Sequence, residues 1–284
     1  MDILSKLENI EFQITDRFPL EDMEHCRREE LVYQEVYHIC SEVAFISEAA
    51  NVKLKDFTHC PYVQTLDDNM DKVYACSERF IGEVCGYFRK KYAITIDAPI
   101  WKTSQEESGR KHKRERYDVV PLQYILDSVY DQMGGMSFEE KAFVELLEDA
   151  KGSVTAYNGD SKYVIRNSKL VIDEFYWSHK DSIWERYMAN VDSSHRSFFK
   201  ALTHFEYGYY DVSQKYGLLC GYRIDEKEGS YDKHVISSTI VHTIKVFKNG
   251  KIEVEFKDYG TAVKFMETYF PGIPQQEAER GGTK

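Results

Sequence analysis

Between Pro19 and Ala50, apolar residues recur at Val32, Val36, Ile39, Val43, Ile46 and Ala50, in alternating steps of four and three. That period predicts a long helix with one narrow apolar seam of the coiled-coil or bundle type. Pro19 suits the first helical position, where its missing N–H costs nothing. Glu35 and Glu42 lie off the seam. The same spacing returns at Leu66, Met70, Val73, Ser77, Phe80, Val84 and Tyr87, within a second helical stretch from about Pro61 to Tyr92. Two seamed helices joined through Asn51 to Cys60 predict an antiparallel hairpin. A shorter pattern, Ile3, Leu7, Ile10 and Ile14, predicts a short helix ahead of them.

Downstream the pattern changes. Ala93 to Asp97 reads as a short strand stopped by Pro99. The run from Thr103 to Arg116, TSQEESGRKHKRER, holds no apolar residue and predicts an exposed, mobile loop. A helix follows Pro121, with Leu122, Ile125, Leu126, Val129 and Met133 on one side and Gly134-Gly135 as its stop. Ser137 and Glu140 form a capping-box signature, and Phe143, Leu146 and Leu147 continue that helix to Gly152.

Tyr163 to Arg166 and Lys169 to Ile172 flank Asn167-Ser168 and predict a tight hairpin. Two helical stretches are expected next. Ile183, Trp184, Tyr187, Met188 and Val191 mark one, and Phe198, Leu202 and Phe205 mark the other, ended by Gly208. Val241 to Phe247 and Ile252 to Phe256 flank Lys248-Asn249-Gly250-Lys251. Asn-Gly is the preferred short hairpin turn because both residues tolerate positive φ. Ile252, Val254 and Phe256 alternate with Glu253 and Glu255, giving one dry and one wet face. Ala262, Val263, Phe265, Met266 and Phe270 predict a short helix before Pro271.

The expected fold class is therefore α+β. A helical domain spans 1–92, and a connector with a basic loop spans 93–120. An α+β domain with antiparallel hairpins spans 121–274, followed by a frayed tail over 275–284.

The run KVFKNGKIEVEFKDYGTAVKFMETYF, from Lys245 to Phe270, resembles the closing segment of the DUF4942 family. In that family an F-K-N-G hairpin precedes an amphipathic helix. The family occurs largely in phages, plasmids and other mobile elements, sometimes beside a methyltransferase domain. Its own activity is not established. The resemblance covers under a tenth of the chain and implies a mobile-element origin. It carries over no catalytic residue.

Composition narrows the partners. The chain of 284 residues has a formal charge of −11. An acidic exterior disfavours wrapping nucleic acid and favours a basic partner. Tyr, at 21 residues, is the most abundant aromatic and suits both cores and contact surfaces. The six cysteines, Cys26, Cys40, Cys60, Cys76, Cys85 and Cys220, contain no C-x-x-C. The first residues lack a signal-peptide pattern, and no apolar run reaches membrane-span length. A reducing cytoplasm with free thiols is expected.

Four constellations bear on chemistry. His25-Cys26, His38, Cys40 and His59-Cys60 have the atoms zinc prefers, but they are spread along helices, and no metal or cofactor is expected. Glu255 and Lys257 form E-x-K on a strand, with Asp225 or Asp232 as the upstream acid of a magnesium-dependent nuclease. An ordinary solvated strand face is the competing reading, favoured by Glu253. The basic run Arg110, Lys111, Lys113, Arg114 and Arg116 suits phosphates or an acidic protein surface, against a plain solvated loop. The aromatic stretch from Asp173 to Tyr222 is mostly core by spacing. Tyr207, Tyr209 and Tyr210 lie where a helix ends and are the expected exposed contact. No Walker A, G-x-G-x-x-G, H-E-x-x-H or G-x-S-x-G motif is present.

The sequence is read as a non-catalytic protein-binding inhibitor encoded by a phage or mobile element. Its target is expected to be a host nucleic-acid-handling or anti-phage defence complex. Contacts are expected through Tyr207, Tyr209, Tyr210, Glu35, Glu42, Arg110, Lys111, Lys113 and Arg114. The alternative is a metal-dependent nucleic-acid enzyme using Asp232, Glu255 and Lys257. The first seam also predicts self-association, unless the hairpin satisfies it.

Overall fold

The computed structural model describes residues 17–54, 66–101, 119–156, 159–236 and 238–275. The short helix expected over Ile3 to Ile14, most of the Asn51 to Cys60 connector, the basic run Arg110 to Arg116 and the polar tail lie outside the described residues. The chain divides into two compact units, Met1–Phe138 and Glu139–Lys284.

The first unit is helical. Helix α1 spans Leu20–Leu54 and α2 spans Leu66–Tyr92. They run antiparallel: Cys40 meets Cys76, Tyr33 meets Ser77, and Asp22 meets Tyr87, Lys91 and Tyr92. Tyr33 stacks flat on Phe80 at 4.4 Å and donates to or accepts from Ser77 Oγ at 3.0 Å. Buried Asp22 closes the open end of the hairpin. Its Oδ1 accepts from Tyr87 at 2.6 Å and from Lys91 at 2.5 Å, and its Oδ2 accepts from Tyr92 at 2.5 Å. Burial pushes the Asp22 carboxyl up, but these donors together outweigh it and hold the group below its usual range.

Helix α3, Leu122–Met133, follows Pro121 and ends at Gly134, whose φ of 61° supplies the left-handed stop. It packs on α1 and α2 within the first unit, whereas the sequence reading grouped it with the C-terminal region. The stretch expected as a strand, Ala93 to Asp97, has no strand partner among the described residues. Ile94 and Ile96 are buried as its alternation implies, but its backbone is held by side chains, Arg89 donating to the Ile96 carbonyl. Gln132 accepts from the Asp97 N–H at 2.7 Å and donates to the Asp97 carbonyl at 2.9 Å.

The second unit combines two antiparallel sheets with helices, so the α+β class holds. After α4, Phe138–Lys151, come β1, Tyr163–Arg166, and β2, Lys169–Ile172, turning at Asn167 with φ 56°. Strands β3, Ser178–Lys180, and β4, Tyr187–Asn190, precede helix α5, Ser193–Tyr207. A one-turn helix α6, Gly217–Cys220, leads to β5, Arg223–Asp225, and β6, Lys233–Val235. The chain then forms β7, Val241–Val246, β8, Ile252–Phe256, and α7, Tyr259–Tyr269. One sheet has the order β1-β2-β8-β7-β6 and the other β3-β4-β5.

Helix α7 lies on β1, β2 and β8, and α5 lies on α7. The core between them is aromatic: Phe198 touches the rings of Phe175, Phe199, Phe265 and Phe270 at centroid distances of 5.1, 5.6, 5.8 and 6.1 Å. Gly250 does more than turn the expected hairpin. At φ 83° it sits where an added Cβ would fall 2.0 Å from the Tyr176 carbonyl oxygen. Its own carbonyl accepts from the Tyr176 N–H at 2.8 Å, so segment 173–177 docks on the hairpin turn.

The helix expected over Ile183 to Val191 is a β-hairpin, β3–β4. Asp181 Oδ1 accepts from the N–H groups of Ile183 at 2.9 Å and Trp184 at 2.8 Å, and Glu185 adopts φ 53°. A side chain that binds the backbone two and three residues on competes with helix. The edge of β4 then pairs with β5, joining Met188 to Asp225.

Candidate functional site

The E-x-K strand is the first place to look for chemistry. On β8, Glu253 and Glu255 share the wet face, as alternation requires. Glu255 Oε2 accepts from Thr243 Oγ1 at 2.8 Å and faces Lys233 Nζ at 3.5 Å. The Thr243 hydrogen bond, with help from Lys233 and Lys169, holds the Glu255 carboxyl below its usual range. Glu253 meets Lys169 Nζ at 2.7 Å. These are cross-strand pairs on a sheet face. Lys257 lies past the end of β8 and is exposed.

The candidate acids are elsewhere. Asp225 is buried in the other sheet, 3.0 Å from Arg186, and its Oδ1 accepts from the Lys227 N–H at 2.9 Å. Asp232 is exposed ahead of β6, and an added Cβ at Gly229 would lie 3.0 Å from its Oδ2. The structure brings Glu255 to Thr243 and Lys233, with Asp232 next in sequence to Lys233, Lys257 past the strand end and Asp225 in the other sheet.

The metal candidates are dispersed in the same way. His25 stacks on Tyr87 at 3.9 Å, and His38 pairs with Glu42 at 3.3 Å. Cys26 is buried, which pushes its thiol up to about 12. Cys40 and Cys76 touch at 3.8 Å. Among the described residues no three His, Cys, Asp or Glu side chains are placed to hold a metal ion. His59 and Cys60 lie outside those residues.

Buried His195 and half-buried His204 of the second unit have structural partners. His195 Nδ1 accepts from the Asp192 N–H at 3.1 Å, and Asp192 Oδ1 accepts from the His195 N–H at 3.1 Å. The other ring nitrogen meets the Phe175 carbonyl. This is a reciprocal cap on α5 with a neutral imidazole, and burial lowers the ring's proton affinity. His204 pairs with the Tyr269 hydroxyl at 2.6 Å and stacks on Tyr210 at 4.4 Å.

The three expected contact tyrosines separate into two kinds. Tyr207 and Tyr209 are 41% and 46% exposed, with rings stacked at 5.6 Å and 19°. Gly208, at φ 76°, caps α5 between them and throws the two rings to one side. Lys215 lies over the Tyr207 ring at 5.1 Å and contacts its hydroxyl. Tyr210 instead turns inward onto His204 and donates to the Glu139 carbonyl at 3.2 Å.

Other exposed apolar side chains were read as core or helix from the sequence. Trp177 and Tyr222 flank one end of the β3-β4-β5 sheet, while Ile183 and Trp184 form its opposite hairpin tip. The cue available was Asp181 three residues before Trp184, an Asx-turn spacing. On α1, Glu35 and Glu42 are exposed as expected. The seam between them and α2 is exposed too: Val32, Val36, Ile39, Val43 and Ile46 are 41–65% accessible. A groove of about 350 Å³ beside that seam is lined by Val32, Val36, Phe80 and Arg79 among others.

Among the described residues no helix is long and apolar enough to cross a membrane. No family model, curated protein or solved structure matches the chain.

Proposed function

We propose that this chain is a non-catalytic binding protein of phage or mobile-element origin, acting in the host cytoplasm. In this reading it occludes the basic surface of a host protein that handles nucleic acid, such as an anti-phage defence complex. The observation that carries the binding part is the Tyr207–Tyr209 pair. Two stacked, half-exposed tyrosines fixed at a capped helix end present rigid contact area at low entropic cost. The formal charge of −11 supports a basic partner, because opposite potentials speed encounter and reject like-charged competitors. The resemblance of residues 245–270 to a mobile-element family supports the origin.

The test is capture from host lysate on the full chain, with the stoichiometry of the complex measured by mass. The reading expects one protein captured at fixed stoichiometry. Its affinity should fall at least tenfold with Tyr207→Ala plus Tyr209→Ala, and stay unchanged with Glu255→Ala or Lys257→Ala. Magnesium-dependent cleavage of nucleic acid by the purified chain, lost in Glu255→Ala, would reverse the ranking.

A further inference from the structure

We infer that the outer seam of α1 is the contact surface for a second copy of this chain, the two α1 helices packing parallel and in register. This goes beyond the partner reading above and rests on a different unit of the molecule.

The seam is a heptad in its own right. Val36 and Val43 occupy the a positions, and Val32, Ile39 and Ile46 the d positions. The helix packs on α2 through another row, Cys26, Tyr33, Cys40 and Ala44, roughly a third of a turn away. The aliphatic row is therefore left outside. Its five exposed residues amount to roughly 450–500 Å², the size of the largest apolar patch on an ordinary monomer, which is often functional. A standard interface of about 800 Å² per partner, some 60% of it apolar, needs about that area.

The run from Thr103 to Arg116 has no apolar side chain to offer. A second copy offers a row of identical spacing.

The occupied e positions limit the number of strands, and the charges beyond Glu29 favour one direction. Cys26, Tyr33 and Cys40 are e positions already occupied by α2, so only the narrow a/d strip is free, which suits two strands. Glu35 and Glu42 are g positions. An antiparallel pair would set these glutamates against their own copies. A parallel pair sets each g position beside the other copy's e side, where α2 presents Arg79. That guanidinium is 82% exposed, with Glu83 at 3.6 Å.

The experiment is light scattering on the full chain across a concentration series, with folding checked by circular dichroism. The wild type should reach twice the 33.3 kDa chain mass. Ile39→Glu plus Val43→Glu should stay folded and weaken dimerisation at least a hundredfold. Glu35→Arg should weaken it about tenfold, and adding Arg79→Glu should restore it. Val43→Cys should give an oxidised dimer through its own thiol, as a parallel register requires. A wild type that is monomeric throughout would overturn the inference. A dimer indifferent to Ile39→Glu plus Val43→Glu would overturn it as well. A dimer without the Val43→Cys crosslink would overturn the parallel register.

Discussion

Helix α1 carries two rows of side chains, and the more apolar row is the one left outside. The inner row holds two cysteines, a tyrosine and an alanine, and it meets α2 through a stacked Tyr33–Phe80 pair and a Tyr33–Ser77 hydrogen bond. The outer row is entirely Val and Ile. The sheet unit shows the opposite arrangement. Its inward-facing apolar positions on β2, β7 and β8 are buried, and the wet face, where Val171 is half-buried, is charge-paired through Lys169–Glu253 and Lys233–Glu255. The lesson is that four-three spacing says a face must be covered and does not say by what. The five-stranded sheet buries its apolar face, and the helical unit leaves its most aliphatic face open.

That contrast is open to attack in several places. The largest expected loss is in the sheet core. Phe198→Ala should destabilise the second unit by about 4 kcal/mol in chemical denaturation, since it leaves a cavity among four aromatic rings. Asp22→Ala should cost the helical unit about 3 kcal/mol, because Lys91 and two tyrosine hydroxyls lose a buried acceptor. A loss much below that would mean that the hairpin is closed by its aliphatic positions after all.

Acid should separate the two units. His195 is held neutral by burial, so its folded proton affinity lies below the usual 6.5. As pH falls below 6.5 the unfolded chain takes up the proton first, and the His195 contribution is full above that value and drains away beneath it. Asp22 is depressed below 3.8, and its contribution is full above that value and lost only at lower pH. Circular dichroism across a pH series should show the wild type losing stability with slopes that His195→Gln and Asp22→Asn flatten in the higher and lower window respectively. The smallest effect is on the outer row. Ile39→Glu should change protomer stability in dilute solution by less than about 0.5 kcal/mol, as for an ordinary surface site.

Much of the fold was legible where local chemistry agrees with the period. The hairpin between β7 and β8, the Gly134 stop and the alternation over Ile252 to Phe256 appear as read, although of the Asn249-Gly250 pair only Gly250 takes positive φ. The β3–β4 hairpin was hidden because Ile183, Trp184, Tyr187 and Met188 mimic helical spacing, while the deciding bonds come from one side chain, Asp181. The Ala93 to Asp97 segment alternates like a strand but is satisfied by Gln132, a partner 35 residues away in sequence. Of the expected contacts, the exposure of Tyr207 and Tyr209 followed from a helix end at Gly208. The inward turn of Tyr210 depends on His204 and Glu139, which only the folded unit brings together. The direction of the α1 seam was not readable, because two rows of similar spacing compete for α2.

Amide hydrogen exchange at two protein concentrations tests the contrast most directly. Residues 32–50 of α1 should exchange at least tenfold more slowly in concentrated than in dilute solution, while α5 in the sheet unit exchanges at the same rate in both. Equal protection of α1 at both concentrations would show that the outer row needs no second chain, and the contrast between the two units would fail.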